Sequence, residues 1–555
     1  MPKKITTYPE GYSESLFMPT TSNLDRAWSS QEPAVARDFG DHRRQQAFTW
    51  LSERMCDHQS CVINQICANE TERKRAQRFV NNPSLKVGQI IEACCLAVHS
   101  PCFDDQTIIN VIDQSVIALN SAVGRMERGV EELGFVANGL QCGQNLVASL
   151  AVRASDYAVL GLNSLLFHSV EAQATKGDKR LGVDHRPFRY RNSDKWVQAA
   201  RQANIRAQNA RRVIHVIDRE ADSLAVIGRI LESAGTTPSE LIVRACFGQR
   251  KVIACGQDQY LGAGKIKALL AQKPVEMCYC VEVPEDLRSK LVTRDLGLSR
   301  TMQLKTSVRR RARRAILQVK SLRCLFDKQA ILRSSNSSLQ GQLRQELLNS
   351  TPLCQHPFTY LQIQEVDTQG RVLNPQEYSD AINWLLLTSL PVDNTEQICQ
   401  VIDIYRHRFG IIEQFFRCLK KDGFQVQRAQ QQSLQSLQIV IAMAAKASAL
   451  VMKMISARDR DEGFVITDDF TKQQIEVLGL CLTRYQGKTQ VQQNHHPPDQ
   501  LSWAVWIIAR MGGWKPENKQ RPPGPKTLQR GLEIFAATYN GVALVKQWPL
   551  DVSQP

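Results

Sequence analysis

Three features of this sequence predict an α/β fold with helical segments at both ends. Short apolar runs bounded by polar turns begin at Gln106, as strands do. A helical stretch over residues 221–234 separates Val213-Ile-His-Val-Ile-Asp218 from Leu241-Ile-Val-Arg244, the alternation of an α/β sheet. On either side, apolar residues recur every three or four positions, the period of helices that bury one face.

In chain order, residues from about 20 to 100 read as helices. Basic groups stand between the apolar positions, as in Asp41-His-Arg-Arg-Gln and Glu72-Arg-Lys-Arg-Ala-Gln-Arg. Such a pattern fits a small helical DNA-binding unit and fits equally a solvated helix face. Thr107-Ile-Ile-Asn-Val-Ile-Asp113, Leu146-Val-Ala-Ser-Leu-Ala-Val152 and Tyr157-Ala-Val-Leu-Gly-Leu162 then read as strands. Residues 250–380 are basic and β-rich: Arg309-Arg-Arg-Ala-Arg-Arg314 leads into Ala315-Ile-Leu-Gln-Val-Lys320, with Tyr360-Leu-Gln-Ile-Gln-Glu-Val366 as a partner strand. After Trp384-Leu-Leu-Leu-Thr388 the chain turns helical over about 395–455. The tail sets helices over 501–511 and 527–539 among turn signals, Pro497-Pro498 and Arg521-Pro-Pro-Gly-Pro525.

At 555 residues the chain is too long for one ordinary core, so three or four units are expected, at least one of them built from discontinuous segments. Lys and Arg number 70 against 54 Asp and Glu, giving +16 and a pI near 9.2, which suits a polyanionic partner. Residues 1–10 are polar and basic with no apolar core, unlike a signal peptide. The most apolar stretch, 437–455, carries Lys446 and Lys453 and reads as a buried core helix with no membrane role. A soluble intracellular protein is expected. Among the 16 cysteines, Cys56, Cys61 and Cys67 lie near His58 but lack a paired C-x-x-C knuckle, so reduced thiols fit better than zinc.

Two aspartates close apolar strand runs, Asp113 and Asp218. A carboxylate at the end of a buried strand is held rigidly at the sheet edge, where open α/β sheets place their chemistry. Alone, each could be a turn residue. Phosphodiester transfer needs charge neutralised on the scissile phosphate and both the attacking and leaving oxygens stabilised, which two magnesium or manganese ions on three carboxylates accomplish. A third carboxylate must come from elsewhere in the chain. Downstream of Asp218-Arg-Glu-Ala-Asp222 lies Tyr405-Arg-His-Arg408-Phe-Gly-Ile-Ile-Glu413-Gln-Phe-Phe-Arg-Cys-Leu-Lys420.

These two segments resemble the DDE-type insertion-sequence transposases that carry a Tyr-Arg-Glu-Lys signature helix, particularly the hairpin-forming cut-and-paste group. Arg37-Asp-Phe-Gly-Asp-His-Arg-Arg44 and Gln77-Arg-Phe-Val-Asn-Asn-Pro83 resemble that group's end-binding domain. Gly512-Gly-Trp514 and Gln520-Arg-Pro-Pro-Gly-Pro525 resemble its C-terminal region, so the likeness spans essentially the full length.

The resemblance implies an RNase H-like core in two parts, 104–248 and 391–455. It further implies a helical N-terminal DNA-binding domain at 1–103, a β-rich insertion domain at 249–390 and a helical dimerisation domain at 456–555. Asp113, Asp218 and Glu413 would bind two Mg2+ or Mn2+ ions. Water would free a 3′ hydroxyl, which attacks the opposite strand to form a hairpin; water reopens it, and the freed ends attack target DNA. Trp384 would receive a base flipped out beside the hairpin or, equally, pack the sheet. Tyr405, Arg408 and Lys420 would contact transposon-end phosphates or line a solvated helix face, with Arg428 and the 309–314 run as weaker phosphate candidates. The partners implied are double-stranded DNA, both transposon ends and target, and a second copy of the chain in an end-bridging dimer. The compartment implied is a bacterial cytoplasm, at the nucleoid.

Two departures from the family pattern bear on the site. Gln114-Ser115 replaces a threonine pair after the first aspartate. Four residues separate Arg408 from Glu413 where the family places three, which on a continuous α-helix turns the glutamate by about 100°. A helix start at Gly410, or a bulge, is expected to keep Glu413 in the site and displace Tyr405 and Arg408. Glu413 and Lys420 keep six intervening residues. An active transposase leads; a DNA-binding descendant without catalysis is the alternative, and an RNase H-like nuclease that does not join strands is third.

Overall fold

The computed structural model describes residues 39–546, apart from 128, 137–140, 169–192, 234, 236, 257–259, 284, 296–300, 311, 328–355, 374–380 and 519–520. The chain divides into two compact units, fewer than the length suggested. One unit gathers Met1–Gln59, Ile63–Ala93 and Ala457–Pro555, and the other holds Ser60–Val62 and Cys94–Ser456.

The helical unit begins with α1 (His42–His58), α2 (Ile63–Ile66), α3 (Glu70–Val80) and α4 (Val87–Cys94). Asp41 caps α1 by accepting from the Arg43 backbone N–H at 2.9 Å, and Asn69 caps α3 through the Glu72 N–H. Phe48, Leu51 and Met55 follow helical spacing and are fully buried, so this face of α1 is core.

The second unit is built on one 12-stranded mixed sheet. Its strands are β1 (Thr107–Ala118), β2 (Phe135–Val136), β3 (Gln141–Arg153), β4 (Val159–His168), β5 (Arg212–Ile217), β6 (Ser239–Arg244), β7 (Lys251–Cys255), β8 (Tyr260–Lys265) and β9 (Met277–Val283). A separate hairpin, β10 (Asp286–Asp295) with β11 (Thr301–Arg310), precedes β12 (Arg313–Phe326), β13 (Phe358–Val366) and β14 (Asn383–Thr388). The order across the large sheet is β2-β3-β1-β5-β6-β14-β13-β12-β7-β8, with β4 on β3 and β9 on β12. Among the described strands only β1, β5 and β6 run parallel to one another, and their near-continuous apolar sequences match burial on both faces.

Apart from the β10–β11 hairpin, the strands described after residue 249 extend this sheet: β14 pairs antiparallel with β6, placing Leu387 opposite Val243. The expected partnership of β12 and β13 is present, with Leu322 opposite Tyr360.

Among the helices of this unit are α5 (Val130–Leu133), α6 (Asp194–Arg206), α7 (Leu224–Glu232), α8 (Ile266–Ala271), α9 (Thr395–Arg417) and α10 (Leu434–Ala457). Helix α10 is long and apolar enough to cross a membrane, yet 78% of its apolar window is buried inside the fold, as a core helix requires. The helical unit is completed by α11 (Lys472–Tyr485), α12 (Leu501–Met511) and α13 (Pro525–Val545), and α13 packs against α1. Residues assigned to the chain's two ends therefore share one core.

The Gly512-Gly-Trp motif has a packing explanation. A Cβ on Gly512 would fall 2.0 Å from the Thr527 carbonyl oxygen, and one on Gly531 would fall 1.9 Å from that of Ile508. Helices α12 and α13 thus cross at backbone contact, which only glycine permits. Gly513, at φ +93°, then turns the chain out of α12.

Candidate active site

The site is built on two neighbouring parallel strands. Asn110 of β1 stands opposite His215 of β5, and Asp113 and Asp218 each lie three residues farther on, so the two come out level: Asp218 directly follows the end of β5, whereas Asp113, expected to close its strand, sits within β1, which runs on to Ala118 through its pairing with β3. Beneath them lies a dry polar network. His215 Nδ1 hydrogen-bonds Asn110 at 3.0 Å, and Asn163 donates to Asn110 Oδ1 at 2.9 Å. His215 Nε2 meets Asn204 Oδ1 at 3.0 Å and Ser239 Oγ at 2.9 Å. Burial pushes the imidazole down to about 3, so this histidine is neutral and structural.

Helix α9 closes over the pair. Asn394 caps it by accepting from the Gln397 N–H, and its inner face packs on β1 and β5. Arg408 is 1% exposed and reaches Asp113 at 3.4 Å and Asp218 at 3.7 Å, so one guanidinium lies between both carboxylates. Its Nε has no hydrogen-bond partner. Tyr405 donates its hydroxyl to Asp218 at 3.5 Å, and burial pushes the phenol up to about 12. Trp384, half-buried on β14, meets Tyr405 edge-on at 5.7 Å and Phe409 at 6.5 Å. Lys420 donates to Ser115 at 3.1 Å, and burial lowers its pKa.

Asp113 feels burial most. Loss of water raises its carboxyl to about 6 against the pull of Arg408 and of the Gln114 N–H at 2.8 Å, and Asp218 and Glu220 raise it further.

One neighbour was not legible in the sequence. Lys195, in the first turn of α6, is buried and donates to Gln114 Oε1 at 2.5 Å, 3.6 Å from Glu220; Gln114 in turn donates to Glu220 at 3.2 Å. The available signal was a charged residue inside the buried run Lys195-Trp196-Val197.

The signature helix departs from expectation. Tyr405 and Arg408 were expected to be displaced and Glu413 kept, but the two upstream residues face the aspartates while Glu413 is exposed. The physical reason is that α9 is continuous through Arg417, so five residues turn Glu413 about 140° away from Arg408. Ile412, one turn after Arg408 and fully buried, holds the facing position. The turn that follows, Cys418–Asp422, is π-helical, a form that accommodates one extra residue.

As arranged, these residues do not fit a pair of divalent cations. Among the described residues no three His, Cys, Asp or Glu side chains gather closely enough to hold a metal, and a guanidinium lies between the two aspartates.

Other candidates lie apart from the aspartate pair. Arg428 is exposed on a short 3-10 turn. Arg313 is committed to a bidentate pair with the buried Glu365, both bonds 2.8 Å, Arg309 and Arg310 end β11, and Arg311 lies outside the described residues. Asp222 is structural: its carboxylate accepts from Arg250 at 2.8 Å and from the Cys246 and Phe247 N–H groups at 2.7 and 3.1 Å. The cysteines Cys56, Cys61 and Cys67 form no disulfide, and Cys61 donates to the Phe424 carbonyl. No protein-family model matches the chain.

Proposed function

We propose that the chain is a DNA transposase that binds transposon ends and cuts and rejoins their strands. The observation that carries this proposal is the level pair Asp113 and Asp218 on adjacent parallel strands, roofed by a helix that presents Tyr405 and Arg408, with Lys420 in the π turn that follows it. Two carboxylates at one sheet edge suit phosphoryl chemistry in an α/β protein. The surrounding cations suit a polyanionic substrate, as does the +16 charge.

Within that proposal each side chain has a definite task. Arg408 screens the two carboxylates from each other until substrate phosphates compete for its guanidinium. Lys420 stands beside β1 with a desolvated ammonium, a phosphate contact of the positioning kind. Trp384, Tyr405 and Phe409 form an aromatic group at the rim on which an unstacked base can rest. An RNase H-like core, Mg2+ or Mn2+ as cofactor, and a homodimer bridging two ends belong to the same proposal.

A second function, a DNA-binding descendant without catalysis, is favoured by the outward placement of Glu413. Strand cleavage decides between the two. Purified chain is incubated with Mg2+ or Mn2+ and linear DNA bearing the ends of its own element, beside Asp218→Asn. Metal-dependent nicks and hairpins that vanish in the variant support the transposase. End binding without cleavage in either metal supports the descendant.

A further inference from the structure

Strands β1 and β5 are paired with each other only as far as Val111 and Val216. Asp113 and Asp218 lie two residues past that last pair. Asp113 is still held by β3, but Asp218 has also left the ladder between β5 and β6, which ends at Ile217. The separation of the two carboxylates is therefore set by side chains that cross the gap. Arg408 crosses it on the α9 face of the sheet. A second bridge crosses it on the opposite face, which Gln114 shares with the core residue Ile112. There Lys195 of α6 donates to Gln114 at 2.5 Å and lies 3.6 Å from Glu220, and Gln114 donates to Glu220 at 3.2 Å. Gln114 directly follows Asp113, and Glu220 stands two residues after Asp218. Resting on the transposase proposal, we infer that Lys195 is a positioning residue for strand cleavage, holding the two aspartates at a fixed separation from behind the sheet when substrate phosphates draw Arg408 away.

Three observations carry this inference. The anchor of the bridge is rigid: Trp196 and Val197, which follow Lys195, are buried in one core with Ile112 and Ile217, the residues directly before the two aspartates. The bridge is also out of the way of the groups offered to substrate, because Tyr405, Arg408 and Lys420 all reach the aspartates or Ser115 from the α9 side. Phosphates that compete for Arg408 leave it intact. Finally, a buried ammonium loses its hydration, and burial lowers its pKa. Apolar residues of similar volume commonly replace a buried ion pair without loss of stability, so packing alone gives no reason for a lysine at this position.

Lys195→Met keeps the length of the side chain and removes the ammonium. In the full-length chain its thermal midpoint is expected within about 3 °C of wild type. Cleavage of the element's end DNA should lose at least about tenfold in kcat, with KM unchanged within about twofold, because Lys195 touches no substrate. Hydrogen exchange reads the bridge without any activity. The amides of Ala221 and Asp222, which close the turn that carries Glu220, should exchange at least about tenfold faster in the variant, while those of 213–217 in β5 keep their protection. Should Lys195→Met fail to fold, Glu220→Ala breaks the same bridge at an exposed position and should give the same split and the same faster exchange.

Unchanged exchange in a folded variant overturns the bridge. Faster exchange with unchanged kcat overturns the positioning role, as does a rise in KM alone, which would make Lys195 a substrate contact. Failure of the transposase proposal reads out separately, in a wild type that cuts none of its end DNA: the role in cleavage then falls with that proposal, and the exchange difference still supports the bridge.

Discussion

Asn110 and His215 face each other across two parallel strands, joined side chain to side chain at 3.0 Å, and each lies three residues before one aspartate of the site. A slip of either strand would orphan this buried pair, so the pair fixes the stagger that brings Asp113 and Asp218 level. Its neutral imidazole gives the fold a dependence on pH. The folded-state value, about 3, lies below the ordinary 6.5, so the stabilisation is full above pH 6.5 and is lost as pH falls toward 3. His215→Asn should cost about 1–3 kcal/mol at pH 7 through the disrupted network, yet show a flatter loss of stability between pH 6.5 and 4 in urea titrations. An undiminished acid slope would contradict the assignment.

Arg408→Ala leaves two carboxylates facing each other without their shared cation. Since both aspartates keep some solvent access, with side chains 23% and 29% exposed, the loss should be about 1–3 kcal/mol at pH 7.5. Because burial holds Asp113 near 6, the deficit should shrink at pH 5, where that carboxyl is protonated. Chemical denaturation at the two pH values measures both.

Asp222 and Asp218 occupy one short segment but differ in kind. Asp222→Ala strips Arg250 of its buried partner and should cost about 3–5 kcal/mol, visible in the urea midpoint. Asp218→Asn should leave that midpoint within about 1 kcal/mol of wild type, while abolishing cleavage.

Gly531→Ala forces α13 away from α12 at the Ile508 carbonyl and should lower stability by more than about 2 kcal/mol. Gly541→Ala, whose added methyl meets nothing within 4 Å, serves as the matched control and should be neutral or slightly stabilising in a thermal melt.

Asp218 was legible because period and polarity break at the same residue, where β5 ends; at Asp113 the apolar run ends but the strand does not, because β1 continues to Ala118 on its pairing with β3. The glutamate was not legible. Its facing depends on whether α9 runs unbroken past Gly410, and that is decided by how Ile412, Phe415 and Phe416 pack, a tertiary matter. Lys195 was hidden for a related reason: a lysine at the start of an amphipathic helix reads as solvated until neighbours such as Gln114 and Glu220, distant in sequence, are brought beside it. Strands β12 and β13 were legible as partners in a β-rich passage, but their continuity with the central sheet rests on pairing of β14 with β6, across more than a hundred residues of chain.

The packing of α1 on α13 has a consequence for synthesis. The first helix leaves the ribosome nearly five hundred residues before its partner, Pro525–Val545, exists, whereas the whole sheet unit is translated in between. During that interval the part of α1 that packs on α13 waits without its final cover, a target for holding chaperones and for proteases. Translation that stops before α13 would leave a finished sheet attached to an unfinished helical unit, so only full-length translation yields both units folded.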